Sequence, residues 1–304
     1  MSKSFEPRRS RRTLARAQSH GTWNMSSLRR REQFTGTRGM QAVRSLSLPS
    51  QVQTVLEWWF PRVKVVLGHN LLSVMLFGSV CMDDFCPAWS DLDVCAVLSV
   101  PVTDEQARRL SGLHDELESL LPGPLLEATY LPSSMAATAG SAGRSFDACH
   151  GERSLAVFDP IPGFYRLQLA RFSTCYAGET VPFAPPTHDQ LVAGSTWLLN
   201  RLRGAPGTQR AHELAGLIHE TARMVVFWRD REFLSKGSAL QREIAAHGQF
   251  ADAYRLAVHL RTEGGAHCDA HIKKLRDLTR TMAASGPTLL ESLISDASRR
   301  DENG

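Results

Sequence analysis

Residues 76–98 read LFGSVCMDDFCPAWSDLDVCAVL, with a Gly-Ser pair at 78–79 and, twelve residues after Ser79, an aspartate that opens an alternation of acids and aliphatics. From Asp91 to Val100 this alternation predicts a strand, with Leu92, Val94, Ala96 and Leu98 on one face and Asp91, Asp93, Cys95 and Val97 on the other. Carboxylates on a strand that should be buried need a positive partner. Residues two apart on a strand project side by side, with Cα atoms roughly 6.5 Å apart, so both carboxylates can reach one cation. At about 4 Å separation they repel by about 4 kcal/mol at an effective dielectric of 20, and a divalent ion relieves that repulsion. Mg²⁺ prefers oxygen ligands of this kind and completes its shell with water and substrate phosphates. Asp91 and Asp93 are therefore the candidate metal ligands, and a metal there points to phosphate.

Taken alone, an Asp-x-Asp also describes a solvated strand end. Three neighbours favour the chemical reading. Gly78 and Ser79 close the preceding strand, SVMLF, where a missing side chain lets phosphate approach backbone N–H groups and a hydroxyl adds a donor. Glu127 rises from a later strand, LLEATYL, on the face opposite Leu126, Ala128 and Tyr130. Ser90 immediately precedes the pair, in a loop able to cap or orient it.

Outward from this stretch, PSQVQTVLEWWFPRV (49–63) predicts a helix through Val52, Val55, Leu56 and Trp59 that Pro61 stops. A second amphipathic helix is expected over 103–121, where Leu110, Leu113, Leu117 and Leu120 step by three and four before Pro122. The small-residue run SSMAATAGSAGRS (133–145) reads as a domain boundary or mobile loop. Beyond it the helical period takes over. Leu191, Ser195, Leu198 and Leu202 share one face; Leu214, Leu217, Ile218, Val225 and Trp228 a second; Ile272, Leu275, Leu278 and Met282 a third. The expected architecture is α+β: an α/β domain with a small mixed sheet at 46–150, followed by an all-helical bundle at 151–304.

Composition is that of a globular protein, with 42% hydrophobic and 22% charged residues in 304. The net charge of +4 is unevenly spread, because Met1–Arg44 holds eleven Lys or Arg against Glu6 and Glu32, leaving the remainder at about −5. Residues 1–45 read as a basic, disordered tail; an organelle transit peptide or a nucleic-acid contact is a less specific reading of the same charge. No run approaches the roughly 18–20 apolar residues that span a bilayer. Six cysteines at 81, 86, 95, 149, 175 and 268 lack zinc-site spacings, which fits reduced thiols and a cytoplasmic location. The HCDAH run (267–271) carries ligand-type residues but reads as a capped helix start.

The pattern LFGSV(x)9SDLDVCAVL followed by LEATYL resembles the nucleotidyltransferase superfamily signature of Gly-Ser, Asp-x-Asp and a third carboxylate on a later strand. More narrowly, it resembles the streptomycin/spectinomycin adenylyltransferases, a class of aminoglycoside nucleotidyltransferase with an N-terminal nucleotidyltransferase domain and a C-terminal helical domain. The run ETARMVVFWRDREFLSKGSALQREI is similar to the helix of that family carrying an arginine, here Arg223, followed thirteen residues later by a lysine, here Lys236. The resemblance implies ATP bound at Gly78, Ser79, Ser90, Arg223 and Lys236, with Mg²⁺ on Asp91 and Asp93. It implies Glu127 as the base for an acceptor hydroxyl on a small molecule, an aminoglycoside-type antibiotic, and a monomer. From the residues alone, Ser235 suits an N-cap beside Lys236, while Arg223 has an alternative in pairing with Glu220 or Asp230.

Ahead of the arginine-bearing helix, NRLRGAPGTQRAHE carries Arg201, Arg203, Arg210 and His212, and only Glu213 stands where a family acid would meet a cationic substrate. Within the motif loop, Asp83 and Asp84 read as a solvated turn, with extra cation contacts as the other reading. Transfer to a protein or RNA acceptor docked by the basic tail, and a catalytically silent nucleotide-binding module, are the competing functions.

Overall fold

The computed structural model describes residues 48–302 apart from 88, 121–125, 142, 150–151, 157–160, 205–210 and 263–268. The basic tail, His267 and Cys268 lie outside the described residues.

The two alternating stretches become neighbouring strands, β2 (Leu92–Leu98) and β3 (Leu126–Pro132), joined by the amphipathic helix α2 (Asp104–Leu120). This crossover makes β2 and β3 parallel. β1 (Leu71–Leu76) pairs antiparallel with β2, and β4 (Ser145–Cys149) antiparallel with β3. The edges are β5 (Glu152–Ala156) and β6 (Thr174–Gly178), giving a six-stranded mixed sheet in the order β5-β4-β3-β2-β1-β6. Residues beyond 150 are therefore not wholly helical as the sequence suggested. Both edge strands are five residues long, and their side chains are mostly half-buried or exposed, so they carry no apolar alternation to read.

One sheet face packs Val74, Leu76, Leu92, Val94, Ala96 and Leu98 against α1 (Ser50–Leu67) and α2. The opposite face packs Met75, Cys95, Val97 and Leu131 against α3 (Ser133–Ala137) and α4 (Gly163–Phe172). Helix α1 runs through Pro61 instead of ending there. An interior proline costs about 3 kcal/mol, whereas burying Val63 and Leu67 beyond it returns roughly 1.5–3 kcal/mol each. Glu57, whose carbonyl loses its donor, is exposed to water. The run at 133–145 is anchored rather than mobile. Met135 and Ala136 are buried in α3, their carbonyls accept from the fully buried Arg166 at 2.9 and 3.4 Å, and the chain then re-enters the same sheet as β4.

Helices α5 (His188–Gly204), α6 (Ala211–Asp230), α7 (Lys236–Ala245), α8 (Ala251–Thr262) and α9 (Asp269–Glu302) share a further core. Buried Ser195 on α5 accepts a hydrogen bond from Trp228 Nε1 of α6 at 2.8 Å, which explains a hydroxyl on that apolar face.

Under α1 and α2 lies a buried polar group. Trp59 Nε1 donates to Tyr130 Oη at 3.2 Å, and the phenol lies 2.8 Å from His114 Nε2. Burial, reinforced by nearby Arg153, pushes the His114 imidazole down to about 3. An unfolded histidine gains its proton below pH 6.5 while this one stays neutral, so the unfolded state binds more protons and stability falls as pH drops. The expected loss between pH 6.5 and 5 is about 2 kcal/mol from His114. Urea midpoints at pH 7 and pH 5 measure it, and His114→Gln should remove that part of the slope.

Candidate active site

After β1 the chain turns sharply at Gly78, whose φ is +68°. A Cβ at this position would overlap Asp93 Oδ2, so glycine is required both by conformation and by the carboxylate lying against it. Phe77 N–H donates to Asp93 O at 3.2 Å, locking the turn to β2. Gly78→Ala should lower the unfolding temperature and displace Asp93, with loss of any metal-dependent nucleotide binding; calorimetric titration with Mg-ATP and a thermal melt would measure both. Ser79 Oγ is buried with no hydrogen-bond partner among the described residues. Such an orphan hydroxyl costs about 1–3 kcal/mol, which a ligand oxygen would offset.

The parallel register sets Asp93 directly beside Glu127, and neighbouring strands lie about 4.8 Å apart. Burial, then Asp91, then Glu127 push Asp93 well above the usual carboxylate range, with Lys236 and Arg223 opposing them. Ser90 closes the loop ahead of the pair by accepting from Cys86 N–H at 2.9 Å.

Facing the carboxylates are α6, α7 and α8, across a cleft that opens to solvent. Gly78, Ser79, Ser90, Asp91, Asp93, Arg223 and Lys236 all line it. Glu127, only 5% exposed, stands beside Asp93 without being part of the lining. Glu213, in the first turn of α6, lies one turn ahead of the lining residue Gly216 and is not brought into the cleft. Lys236 is the first residue of α7, where Ser235 caps the helix by accepting from Ser238 N–H at 3.2 Å.

Sequence reading treated Glu220 only as a competing partner of Arg223, and it proves to be part of the site. It pairs with Lys236 at 3.0 Å and approaches Arg223 at 3.7 Å. Burial disfavours its charge, but Lys236 and Arg223 outweigh burial and bring it down to about 2. Burial likewise opposes the Lys236 ammonium, and Glu220 and Asp91 outweigh it, so its pKa is raised. His219, one residue earlier, is driven down to about 3 by burial, Lys236 and Arg261, and is a neutral imidazole. The Tyr165 phenol, lifted well above its usual value by burial, Glu127 and Asp93, stays protonated and can donate. Trp89, Gln168 and Arg261 complete the lining. Asp84 is not in a solvated turn: it holds Arg261 at 3.0 Å. Spacing of three from Arg223 was the available signal for Glu220; nothing local announces Arg261, 177 residues from its partner.

The donor set fits a magnesium ion. Among the described residues no three His, Cys, Asp or Glu side chains are grouped to enclose a metal by themselves. Mg²⁺ typically takes one or two carboxylates and leaves the rest of its octahedron to water and phosphate, which is what Asp91 and Asp93 offer. Burial raises the Asp93 pKa first, and Asp91 and Glu127 add a repulsion that a dication would relieve.

No protein-family model and no curated protein matches the chain. Among solved structures, it matches the crystal structure of spectinomycin adenyltransferase AAD(9) from Enterococcus faecialis with ATP and spectinomycin, at 12% identity and a TM-score of 0.56. The alignment covers 75% of this chain and 99% of that one. The chain is thus similar in fold, across nearly the whole of its neighbour, to an adenyltransferase solved with its nucleotide.

Proposed function

We propose that the chain is a Mg-ATP-dependent nucleotidyltransferase that moves AMP to a hydroxyl of a small molecule, of the aminoglycoside type represented by streptomycin and spectinomycin. The observation that carries the reading is the cleft in which Asp91 and Asp93, with Glu127 beside Asp93 behind the lining, face Arg223 and Lys236 next to the Gly78–Ser79 turn. The neighbour solved with ATP and spectinomycin supports it.

Ser79 Oγ and the backbone at Gly78 receive phosphate oxygens, and Arg223 and Lys236 neutralise the triphosphate from the helical side. Bound Mg²⁺, held by Asp91 and Asp93, would supply charge neutralisation at those oxygens. Glu127 accepts the proton of the acceptor hydroxyl as its oxygen attacks the α-phosphorus; the bond to the bridging oxygen breaks and pyrophosphate leaves. Glu213, a turn beyond the cleft, is assigned to a cationic acceptor long enough to extend along α6.

Incubating purified protein with labelled ATP, Mg²⁺ and either antibiotic, followed by mass measurement, should show a gain of one adenylyl group. An acceptor panel that stays unmodified while ATP remains intact would overturn the reading.

A further inference from the structure

Lys236 belongs to α7, whereas Asp91 and Asp93 lie at the start of β2, more than 140 residues earlier in the chain, so something must fix the distance between them. The motif loop supplies the connection. Asp84 N–H donates to Ser79 O at 3.0 Å, which ties Asp84 to the Gly-Ser turn. Its side chain then reaches across to the helices. Asp84 Oδ2 accepts from Gly237 N–H at 3.0 Å, in the first turn of α7 directly after Lys236. Arg261 of α8 lies 3.0 Å from Asp84 Oδ1 and also donates to the Asp84 carbonyl. Cys86 Sγ donates to Arg261 O at 3.3 Å, while Met82 and Trp89 of the same loop pack against the helical core.

The ion pair is largely withdrawn from water, with side-chain exposures of 12% and 15%, so screening weakens it little. A carboxylate at a helix N-terminus is further favoured by the exposed amides and the helix dipole. Contact at Gly237 is tight enough that an added Cβ would sit 2.5 Å from Asp84 Oδ1.

We infer that Asp84 is a positioning residue: it straps the Gly78–Ser79 turn to the start of α7 and so sets where Lys236 stands relative to Asp91 and Asp93. It touches no reacting atom. The inference rests on the proposed reading of the cleft as a triphosphate site. It makes the strap a specific part of that site, because the same residue holds both the phosphate turn and the helix bearing the phosphate-binding cation.

Calorimetric titration of the full chain with Mg-ATP tests it, with binding stoichiometry and unfolding temperature recorded alongside. Asp84→Ala should raise Kd by about tenfold at full stoichiometry, since the cation is displaced and not removed. Asp84→Asn, which keeps an acceptor for Gly237 N–H, should recover part of the loss. Gly237→Ala leaves every charge in place yet forces the contact apart, and should weaken Mg-ATP binding in the same way. A role limited to stability would lower the unfolding temperature or the number of sites per chain while leaving Kd unchanged, and that outcome in both Asp84→Ala and Gly237→Ala overturns the inference. Failure of the wild-type chain to bind Mg-ATP would overturn the nucleotidyltransferase reading first and the positioning role with it.

Discussion

Asp93→Asn should raise the unfolding temperature of the metal-free protein and abolish nucleotidyl transfer. Both effects come from the same crowding. In the fold Asp93 sits against Gly78, next to Glu127 and beside Asp91, and its pKa is raised well above the ordinary carboxylate value by burial and those two neighbours. A carboxyl whose folded pKa exceeds its unfolded one contributes stability at low pH and loses it as pH rises through the folded value. At neutral pH, well above the unfolded carboxylate pKa, the fold bears the cost of this carboxyl whether it holds the charge or takes up a proton, and an amide of the same shape removes that cost. Each kcal/mol relieved raises the midpoint by roughly 2–4 °C in a chain of this size. Transfer, by contrast, should fall at least about a thousandfold, because several kcal/mol of charge stabilisation at the phosphates depend on the ion this carboxylate would hold. Thermal melts with and without Mg²⁺ check the first half: Mg²⁺ should stabilise the wild type more than the variant. A variant that melts earlier in metal-free buffer, or transfers AMP at the wild-type rate, contradicts the assignment.

The sequence was most legible where a residue's role depends on neighbours a few positions away. Alternation from Leu92 to Leu98 and from Leu126 to Leu131 identifies both strands and the faces carrying Asp93 and Glu127, because buried apolar residues on the other face hold the period. What alternation lacks is register. The in-line pairing of Asp93 with Glu127 joins strands separated by the whole α2 connection, and no local pattern encodes it. Pro61 misleads for the opposite reason: a strong local rule is outweighed by packing of Val63 and Leu67, which only the assembled sheet provides. Ser235 was readable as a cap because its partner, Ser238, is three residues away. Asp84 was not readable as a strap because its partners are Gly237 and Arg261, and in the sequence it looks like any acid in a turn.

On the helical side of the cleft, Glu220 offsets part of the charge of Lys236 and Arg223. Glu220 holds Lys236 and approaches Arg223, and Glu220 and Lys236 keep each other ionised in a place where burial alone would neutralise them. In the proposed site, a triphosphate would meet cations already held by Glu220, so less ordering would remain to be done on binding. The sheet side gathers Asp91, Asp93 and Glu127, whose repulsion adds to burial in raising the Asp93 pKa. In the proposed reading, Arg223 and Lys236 would hold the nucleotide, and Asp91, Asp93 and Glu127 would serve the metal and the hydroxyl.

Glu127→Gln separates those roles. Glutamine keeps the size of the side chain at a position only 5% exposed on a central strand, so the fold and the cleft should persist. Neither Arg223 nor Lys236 is altered, and Asp91 and Asp93 remain, so Kd for Mg-ATP should stay within about twofold of wild type. An amide accepts no proton from the attacking hydroxyl, and turnover should drop by about 10²–10⁴, the usual contribution of a positioned general base. Relief of one neighbour's repulsion at Asp93 should also bring the Asp93 pKa down toward the carboxylate range, a shift visible by NMR even if no acceptor is supplied. Single-turnover measurement with labelled ATP then discriminates between causes. A slow chemical step with intact nucleotide binding assigns the proton to Glu127. Weakened binding with an unchanged chemical step would instead make it a third support for the metal, and a variant as active as wild type would remove it from the reaction.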